Sequence, residues 1–201
     1  MVGQLFLSGG GSLEESKAID SFFLKRIPKN QRIAYIPVAL ANHTLYPQVS
    51  DWFEEFLSLH ERKDIRFSVY RNLQEITSFK RYTAIYIGGG NTYFLWEQLQ
   101  KFSVAEKIIE FHRQGGIVYG GSAGAIILGK SIREAPDENV TNLTSFEGCD
   151  LVNGYSIIPH AQVHSYPWFT KTTLYLPNTS GIIVNQESIG FVNTNQIKDP
   201  S

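Results

Sequence analysis

Apolar and polar positions change period repeatedly along the chain, in the order expected for βαβ units. Short runs rich in β-branched and aromatic residues alternate with stretches in which apolar residues recur at helical spacing. The predicted strands span residues 2–7, 32–36, 65–69, 83–87, 117–119, 155–158, 181–185 and 189–192. The predicted helices span residues 12–24, 92–99, 105–114 and 123–128, with a further one around 52–57. This alternation predicts an α/β fold with a mostly parallel central sheet.

Local signals support two of these helices. Residues 12–15, Ser-Leu-Glu-Glu, have the spacing of a capping box, in which a serine and a glutamate each bond the other's backbone N–H. After the second strand, Trp52, Phe53, Phe56 and Leu57 recur on one helical face, which predicts that they belong to the core.

One stretch lacks any such pattern. Residues 133–148 are polar and show no clear period, which predicts a long loop. Loops of this length in a compact domain often carry function.

Composition and charge limit the compartment and the partners. The chain has 201 residues, an ordinary size for one domain, so a single domain over residues 1–201 is predicted. Lys and Arg total 18 against 19 Asp and Glu, so no excess of positive charge favours nucleic acid. Cys149 is the only cysteine, which excludes an intrachain disulfide and favours the reducing cytoplasm. The first residues lack a signal-peptide pattern and no apolar run approaches the roughly 20 residues that span a bilayer, so we expect a cytoplasmic monomer or homodimer without membrane contact.

The strongest chemical motif is Gly-Gly-Ser-Ala-Gly at residues 120–124, between an apolar strand and a helix-forming stretch. A side chain at Gly120 or Gly124 would collide with the adjoining strand or helix, and the strained turn would expose the Ser122 hydroxyl above the strand ends. The positive end of the following helix dipole points at the same place. This context predicts that Ser122 is a nucleophile. The alternative is a glycine-rich turn that binds a phosphate or nothing.

A second glycine cluster, Gly-Gly-Gly-Asn at residues 88–91, also follows an apolar strand. In a parallel sheet it would lie at the same carboxyl edge as the serine. The N–H of Gly89 or Gly90 could then join that of Ala123 in an oxyanion hole, with Asn91 beside them as a substrate-binding residue. The alternative is a nucleotide-phosphate loop, but no Lys-Ser or Lys-Thr pair follows, which excludes a Walker-type site.

Five histidines are candidates for the base that a serine nucleophile needs. His160 is favoured because it follows the strand sequence Ile-Ile-Pro and so lies at an edge of the sheet. His164 is its main rival, and His43 lies in a loop after the second strand. His60 and His112 fall in predicted helices, and we expect them to be surface or packing residues.

A triad also needs a carboxylate that holds the imidazole in the right tautomer. Glu187 lies between two predicted strands and follows His160 along the chain. The rivals lie in the long loop or at its end, and they are Asp137, Glu138, Glu147 and Asp150. The pattern alone leaves this choice open.

Four short motifs occur in one order along nearly the whole chain: Ser-Gly-Gly-Gly at residues 8–11, Gly-Gly-Gly-Asn-Thr at 88–92, Gly-Gly-Ser-Ala-Gly-Ala at 120–125 and Pro-His at 159–160. Together they resemble the peptidase E family, the aspartyl dipeptidases and their cyanophycinase relatives. The resemblance implies a flavodoxin-like three-layer sandwich similar to the class I glutamine amidotransferases. It also implies a Ser-His-Glu triad.

Carried over by position, the triad is Ser122 as nucleophile, His160 as general base and Glu187 as orienting carboxylate. The amidotransferase relatives carry cysteine at this turn, whereas Cys149 here lies in the loop region, so thiol chemistry is not indicated. The resemblance thus implies a serine hydrolase that cleaves an amide bond of a small peptide through an acyl-enzyme, with neither metal nor organic cofactor.

The side-chain preference is a separate matter, because an N-terminal aspartate would need a cation to pair with it. Residues 161–177 contain no arginine and one lysine, Lys171. Tyr166, Trp168 and Phe169 in this stretch are candidates for a more apolar pocket or for core packing. Two alternatives remain: an ester, cyanophycin-like or other acyl substrate on the same triad, and a ligand-binding homologue without catalysis.

Overall fold

The computed structural model describes residues 2–162, 170–186 and 188–193. The strands are β1 (Gln4–Ser8), β2 (Arg32–Ile36), β3 (Arg66–Val69), β4 (Ala84–Ile87), β5 (Ile117–Gly121), β6 (Ser156–Pro159), β7 (Thr173–Leu176), β8 (Ser180–Asn185) and β9 (Ser188–Asn193). The α-helices are α1 (Leu13–Arg26), α2 (Val49–Leu59), α3 (Thr92–Lys101), α4 (Val104–Arg113) and α5 (Ala123–Leu128). Short 3-10 turns lie at Val38–Leu40, Tyr46–Gln48 and Leu73–Glu75.

A seven-stranded sheet in the order β3-β2-β4-β5-β1-β8-β9 forms the centre of the fold. The first five strands in this order run parallel, while β8 and β9 form an antiparallel hairpin at one edge. One apolar cluster packs α1 and α2 on one face of the sheet, and another packs α3, α4 and α5 on the other. The prediction of a three-layer α/β fold with a mostly parallel sheet is confirmed.

A row of tyrosines crosses the face that α1 and α2 cover. Tyr35, Tyr86 and Tyr119 are neighbours in register on β2, β4 and β5. The rings of Tyr86 and Tyr119 stack 4.3 Å apart, and Tyr35 stacks on Phe53 of α2 at 4.5 Å. Burial of each such ring contributes on the order of 2–3 kcal/mol to folding. The row therefore gives the sheet a rigid aromatic floor near its carboxyl edge.

A second, two-stranded sheet joins β6 and β7 in parallel, with Pro159 opposite Leu176. Its buried residues Ile157, Leu174 and Leu176 belong to the same apolar cluster as α5. The sequence pattern predicts β6 but misses β7. The parallel pairing matters because it places the residues that follow both strands side by side.

The polar stretch 133–148 contains no helix or strand, as predicted, and the nearest pairing is an isolated bridge between Ser131 and Glu147. It is tied to the start of α3, where the Thr92 N–H donates to the Asp137 carboxylate at 2.9 Å. Within the described ranges, no helix is both long and apolar enough to cross a membrane.

Candidate active site

Ser122 lies at the turn between β5 and α5, at the carboxyl edge of the central sheet. Its φ of 49° and ψ of −110° fall in a region that residues with a side chain rarely adopt. A Cβ added to Gly120 would lie 2.6 Å from the carbonyl carbon of Gly124, and one on Gly124 would lie 2.4 Å from the oxygen of Ile87. Both glycines are therefore required, for the steric reason that the sequence suggests.

His160 directly follows β6, and its ring contacts the serine. The distance from Ser122 Oγ to His160 Nε2 is 2.7 Å, which is a hydrogen bond. The His160 N–H donates to the Gly9 carbonyl at 2.9 Å. A Cβ on Gly10, where φ is 93°, would lie 2.2 Å from His160 Cε1. The glycine turn after β1 thus packs directly on the imidazole and fixes its position.

The other ring nitrogen of His160 bonds an amide. The distance from His160 Nδ1 to Asn178 Oδ1 is 2.7 Å. Asn178 Nδ2 donates in turn to Glu15 Oε1 at 3.5 Å. Glu15 is the third residue of α1 and forms the predicted capping box with Ser12, whose N–H donates to Glu15 Oε2 at 2.8 Å. Hydrogen bonds from Ser12, and then from Asn178, lower the pKa of Glu15 below its ordinary value.

These contacts determine which nitrogen of His160 carries the proton. An ionised carboxylate can only accept, so Glu15 requires the NH₂ side of the Asn178 amide. The amide oxygen is then left for Nδ1–H of His160, and Nε2 is the unprotonated nitrogen that accepts from the Ser122 hydroxyl. The chain of contacts from Glu15 through Asn178 therefore holds the tautomer that a general base needs.

Glu187, the carboxylate expected in this role, lies outside the described residues. The imidazole bonds the side-chain amide of Asn178 and not a carboxylate. Asn178 is the functional-site residue that the sequence analysis missed.

The expected oxyanion hole consists of backbone N–H groups next to Ser122. The turn after β4 touches the serine, because a Cβ on Gly89 would lie 3.1 Å from Ser122 Cβ. The N–H groups of Gly89, Gly90 and Ala123 have no hydrogen-bond partner among the described residues. The first N–H groups of a helix have no intrahelical partner, which leaves that of Ala123 available to an anion.

The side-chain amide of Asn91 is engaged in two hydrogen bonds to the backbone. Its Oδ1 accepts from the Phe94 N–H at 2.9 Å as the N-cap of α3, and its Nδ2 donates to the Glu138 carbonyl at 2.9 Å. Both ends of the amide are engaged in these contacts, and substrate binding by Asn91 stays a prediction. It does line a cavity beside Ser122.

The other candidate residues lie in varied places. His43 lines that same cavity but its Nδ1 accepts from the Leu45 N–H. His60 and His112 are packing residues, as expected, and burial lowers the pKa of each. His164, like Tyr166, Trp168 and Phe169, lies outside the described residues. Among the described residues, no hydrogen bond joins the His160 ring to the rival carboxylates Asp137, Glu138, Glu147 and Asp150.

Two cavities meet at the serine. The first has a volume of about 590 Å³ and extends over the tyrosine row towards α2. The second has a volume of about 480 Å³ and is bordered by Pro136, Asp137 and Val140 of the long loop. Ser122 and His160 line both cavities. The long loop therefore forms part of the candidate site.

A buried carboxyl group lies behind the first cavity. Asp20 of α1 is 1% exposed and accepts hydrogen bonds from Tyr119 at 2.5 Å and Ser16 at 2.7 Å. Burial raises its pKa from 3.8 to about 7, although these two hydrogen bonds oppose the shift.

The cysteine takes no part in the site, because burial raises the pKa of Cys149 to about 12 and keeps its thiol protonated.

A sequence model of Peptidase family S51 matches residues 5–197. The chain belongs to this family. The S51 match spans all the motifs on which the resemblance to peptidase E rests, and that prediction is confirmed.

Named S51 relatives support the assignment. The chain is 29% identical over 158 residues to Peptidase E of Streptomyces coelicolor, a match over 76% of this chain and 59% of that protein. It is 31% identical over 137 residues to Peptidase E of Haemophilus influenzae, over 66% of this chain and 59% of that protein. An uncharacterized peptidase of Pasteurella multocida is 32% identical over 179 residues, 80% of this chain and 84% of that protein. The chain thus spans about three fifths of the length of the two peptidase E sequences.

Solved structures share the fold of this chain. A structure from Listeria monocytogenes EGD-e superimposes with a TM-score of 0.74 at 20% identity, over 96% of this chain and 99% of that chain. A peptidase from an acI-B1 Actinobacterium gives a TM-score of 0.70 at 18% identity, over 96% of this chain and 88% of that chain. At these identities the likeness concerns the fold alone.

Proposed function

We propose that this S51-family chain is a serine peptidase of the peptidase E type, which hydrolyses an amide bond of a small peptide through an acyl-enzyme on Ser122. The hydrogen bond of 2.7 Å between Ser122 Oγ and His160 Nε2, at the junction of two cavities, carries the proposal. Acyl transfer requires a nucleophile that is hydrogen-bonded to a base, and a third group that orients the base.

The reaction begins when Ser122 Oγ attacks the scissile carbonyl carbon while His160 Nε2 accepts the hydroxyl proton. The imidazolium then gives this proton to the leaving amine as the C–N bond breaks, which leaves an ester on the serine. A water molecule attacks the ester with His160 again as base, and the second half-reaction returns the serine and releases a carboxylic acid. Throughout, Asn178 accepts from Nδ1–H and holds the ring in place.

Backbone N–H groups stabilise the negative charge that develops on the carbonyl oxygen of the substrate during the attack. The N–H of Ala123 at the start of α5 and those of Gly89 and Gly90 are the groups we assign to it. Fixed donors of this kind cost no reorganisation during the reaction, and loss of one typically removes about 3 kcal/mol of transition-state stabilisation.

The two cavities favour a short peptide as the substrate. Each has room for one residue and some of its backbone, and the serine lies where they join. We assign one cavity to the acyl part of the substrate and the other to the leaving part. The compartment that fits this chain is the cytoplasm, because its single cysteine can form no intrachain disulfide. Single-domain organisation, a monomer or homodimer, and the lack of a nucleic-acid partner remain predictions.

The proposal is tested by incubating the protein with a panel of dipeptides and activated esters and measuring products by mass spectrometry. We expect hydrolysis of at least one dipeptide, with a requirement for a free α-amino group. Ser122→Ala should lower turnover by on the order of a million-fold if the triad acts as a unit. Ser131→Ala is the matched control, because Ser131 lies outside both cavities, and it should keep full activity. Equal turnover by the Ser122→Ala variant would show that the proposal is wrong.

A further inference from the structure

Helix α2 contributes two acidic residues to the wall of the first cavity. Asp51 and Glu55 are four residues apart, so their side chains lie on the same face of this helix, and both line the cavity. Both residues are exposed at its mouth. They are the only charged side chains of α2 that line this cavity in the described part of the chain.

No cation within the described part of the chain neutralises these two carboxylates. No lysine or arginine lines the first cavity, and neither carboxylate has an ion pair within 4.0 Å. Arg71 donates to the backbone carbonyls of Tyr46 and Pro47 and does not line the cavity. Asp51 and Glu55 also border a neighbouring groove that Arg32, Lys63 and Arg66 line, but none of these cations forms an ion pair with either acid. An unpaired pair of like charges is stabilised by a ligand that supplies the opposite charge.

A buried hydroxyl in the same cavity also lacks a partner. Tyr35 is 2% exposed and lines the cavity, and its Oη would lie 3.6 Å from a Cβ on Gly88, beside the candidate oxyanion turn. No hydrogen bond to this hydroxyl is present among the described residues, and the atom is not sealed from the cavity. The hydroxyl therefore offers an unused donor and acceptor to a polar group of a ligand in the cavity.

Aromatic rings line the space between the buried hydroxyl and the acidic mouth. Trp52 is half-buried and its ring lies 6.0 Å from those of Tyr35 and Tyr86. The sequence analysis places Trp52 in the core, but the structure places it partly in the cavity wall. Such rings pack well against an aliphatic stem and attract a cation through their faces.

We infer that the first cavity selects a substrate with a positively charged group on an apolar stem, held between the aromatic wall and the Asp51 and Glu55 carboxylates. The stem lies over Trp52, and the Tyr35 hydroxyl bonds a polar group of the substrate near the scissile bond. The inference rests on the proposed function, because the proposed function places the scissile bond at Ser122. It is the opposite of a site for an aspartyl side chain, which two carboxylates would repel.

The inference is tested by calorimetric binding of Arg-Ala, Lys-Ala, Leu-Ala and Asp-Ala to the Ser122→Ala variant, in which no turnover interferes. We expect Arg-Ala and Lys-Ala to bind at least about tenfold more tightly than Asp-Ala. Adding Asp51→Asn and Glu55→Gln together should weaken binding of the cationic peptides about tenfold and weaken the salt dependence. Glu54→Gln is the matched control, because Glu54 lies on the same helix but does not line the cavity, and it should change affinity less than about twofold.

Two further arms identify the cation and the hydroxyl contact. Leu-Ala keeps the α-amino group and lacks the side-chain cation, so tighter binding of Arg-Ala than of Leu-Ala assigns the carboxylates to the side-chain cation, and equal binding of the two overturns the inference. Tyr35→Phe keeps the ring and removes the hydroxyl, and we expect it to weaken binding of all the dipeptides by about threefold to tenfold.

The inference is overturned if Asp-Ala binds as tightly as Arg-Ala, or if the double change at positions 51 and 55 leaves all affinities unaltered. Failure of the proposed function is a separate result. Hydrolysis of Asp-Ala that depends on Ser122 would keep the function and reject the inference, whereas binding data on the Ser122→Ala variant decide the inference even without turnover.

Discussion

At the scale of single residues, the unusual feature is an amide where a carboxylate is expected. Asn178 accepts from Nδ1–H of His160 without adding a charge next to the ring, and the negative charge lies one residue further away, on Glu15. An amide orients the imidazole as a carboxylate does but stabilises the imidazolium less. The carboxylate of Glu15 instead acts by fixing which way the amide points.

This arrangement makes a prediction for two substitutions at one position. Asn178→Ala should lower kcat/KM on the order of a hundredfold or more, because the ring loses its orienting partner. Asn178→Asp should keep activity but place a negative charge against the ring, which stabilises the protonated imidazolium. Since the base must be neutral, the acid limb of the pH profile of kcat/KM should move to higher pH. An acid limb unchanged by Asn178→Asp would contradict the contact of Asn178 with the catalytic base.

The sequence carried a signal for Asn178 that depended on an unpredicted strand. The stretches Ile158-Pro159-His160 and Leu176-Pro177-Asn178 share a pattern of apolar residue, proline and polar residue. Parallel pairing of β6 with β7 brings their last residues together. Without β7 in the predicted elements, nothing placed Asn178 near the histidine.

At the scale of elements, the turn between β1 and α1 positions the base, and its glycine requirement can be tested. Gly10→Ala should lower kcat/KM about a hundredfold or more, because a Cβ there lies 2.2 Å from His160 Cε1 and must displace the ring. Gly154→Ala is the control: Gly154 also has a positive φ, 81°, but a Cβ there meets nothing within 4 Å. The control should cost about 1 kcal/mol of stability with kcat/KM unchanged. Equal activity of the two variants would contradict the packing of this turn on His160.

Elements with a local signal were the ones that the sequence predicted well. Strand β2 and helix α5 have the predicted bounds, and α1 begins at its predicted capping box. The sheet edge shared by the glycine clusters also followed from strand order in βαβ units. Strand β7 escaped prediction because it has four residues and is stabilised by non-local contacts with β6 and α5. The role of Asn91 as a helix cap was missed because its glycine neighbours suggested a ligand loop.

At the scale of the whole molecule, buried Asp20 links folding to pH. Its folded pKa of about 7 lies above the ordinary value of 3.8, so between these values the folded state binds more protons than the unfolded state. The contribution of Asp20 to the free energy of unfolding is therefore full below about pH 4. It is lost as the pH rises to about 7, and the loss is at most about 4 kcal/mol. Asp20→Asn keeps the acceptor for Tyr119 and should remove this loss.

Urea unfolding of both proteins at pH 4.5 and pH 7.5 checks the prediction. The unfolding free energy of the variant, relative to that of the natural chain, should be higher at pH 7.5 than at pH 4.5. All other groups titrate in both proteins, so their contributions cancel in this comparison. A difference in unfolding free energy that is the same at both pH values would show that Asp20 does not titrate in this range.

The central claim, that the whole fold serves to present Ser122 as an activated nucleophile, is tested most directly by labelling with a fluorophosphonate. The folded protein should gain the mass of one adduct, which peptide mapping places on Ser122, and His160→Ala should slow labelling by at least about a hundredfold. Absence of an adduct on Ser122 in folded protein, or equal labelling of other serines such as Ser8 and Ser12, would contradict the account.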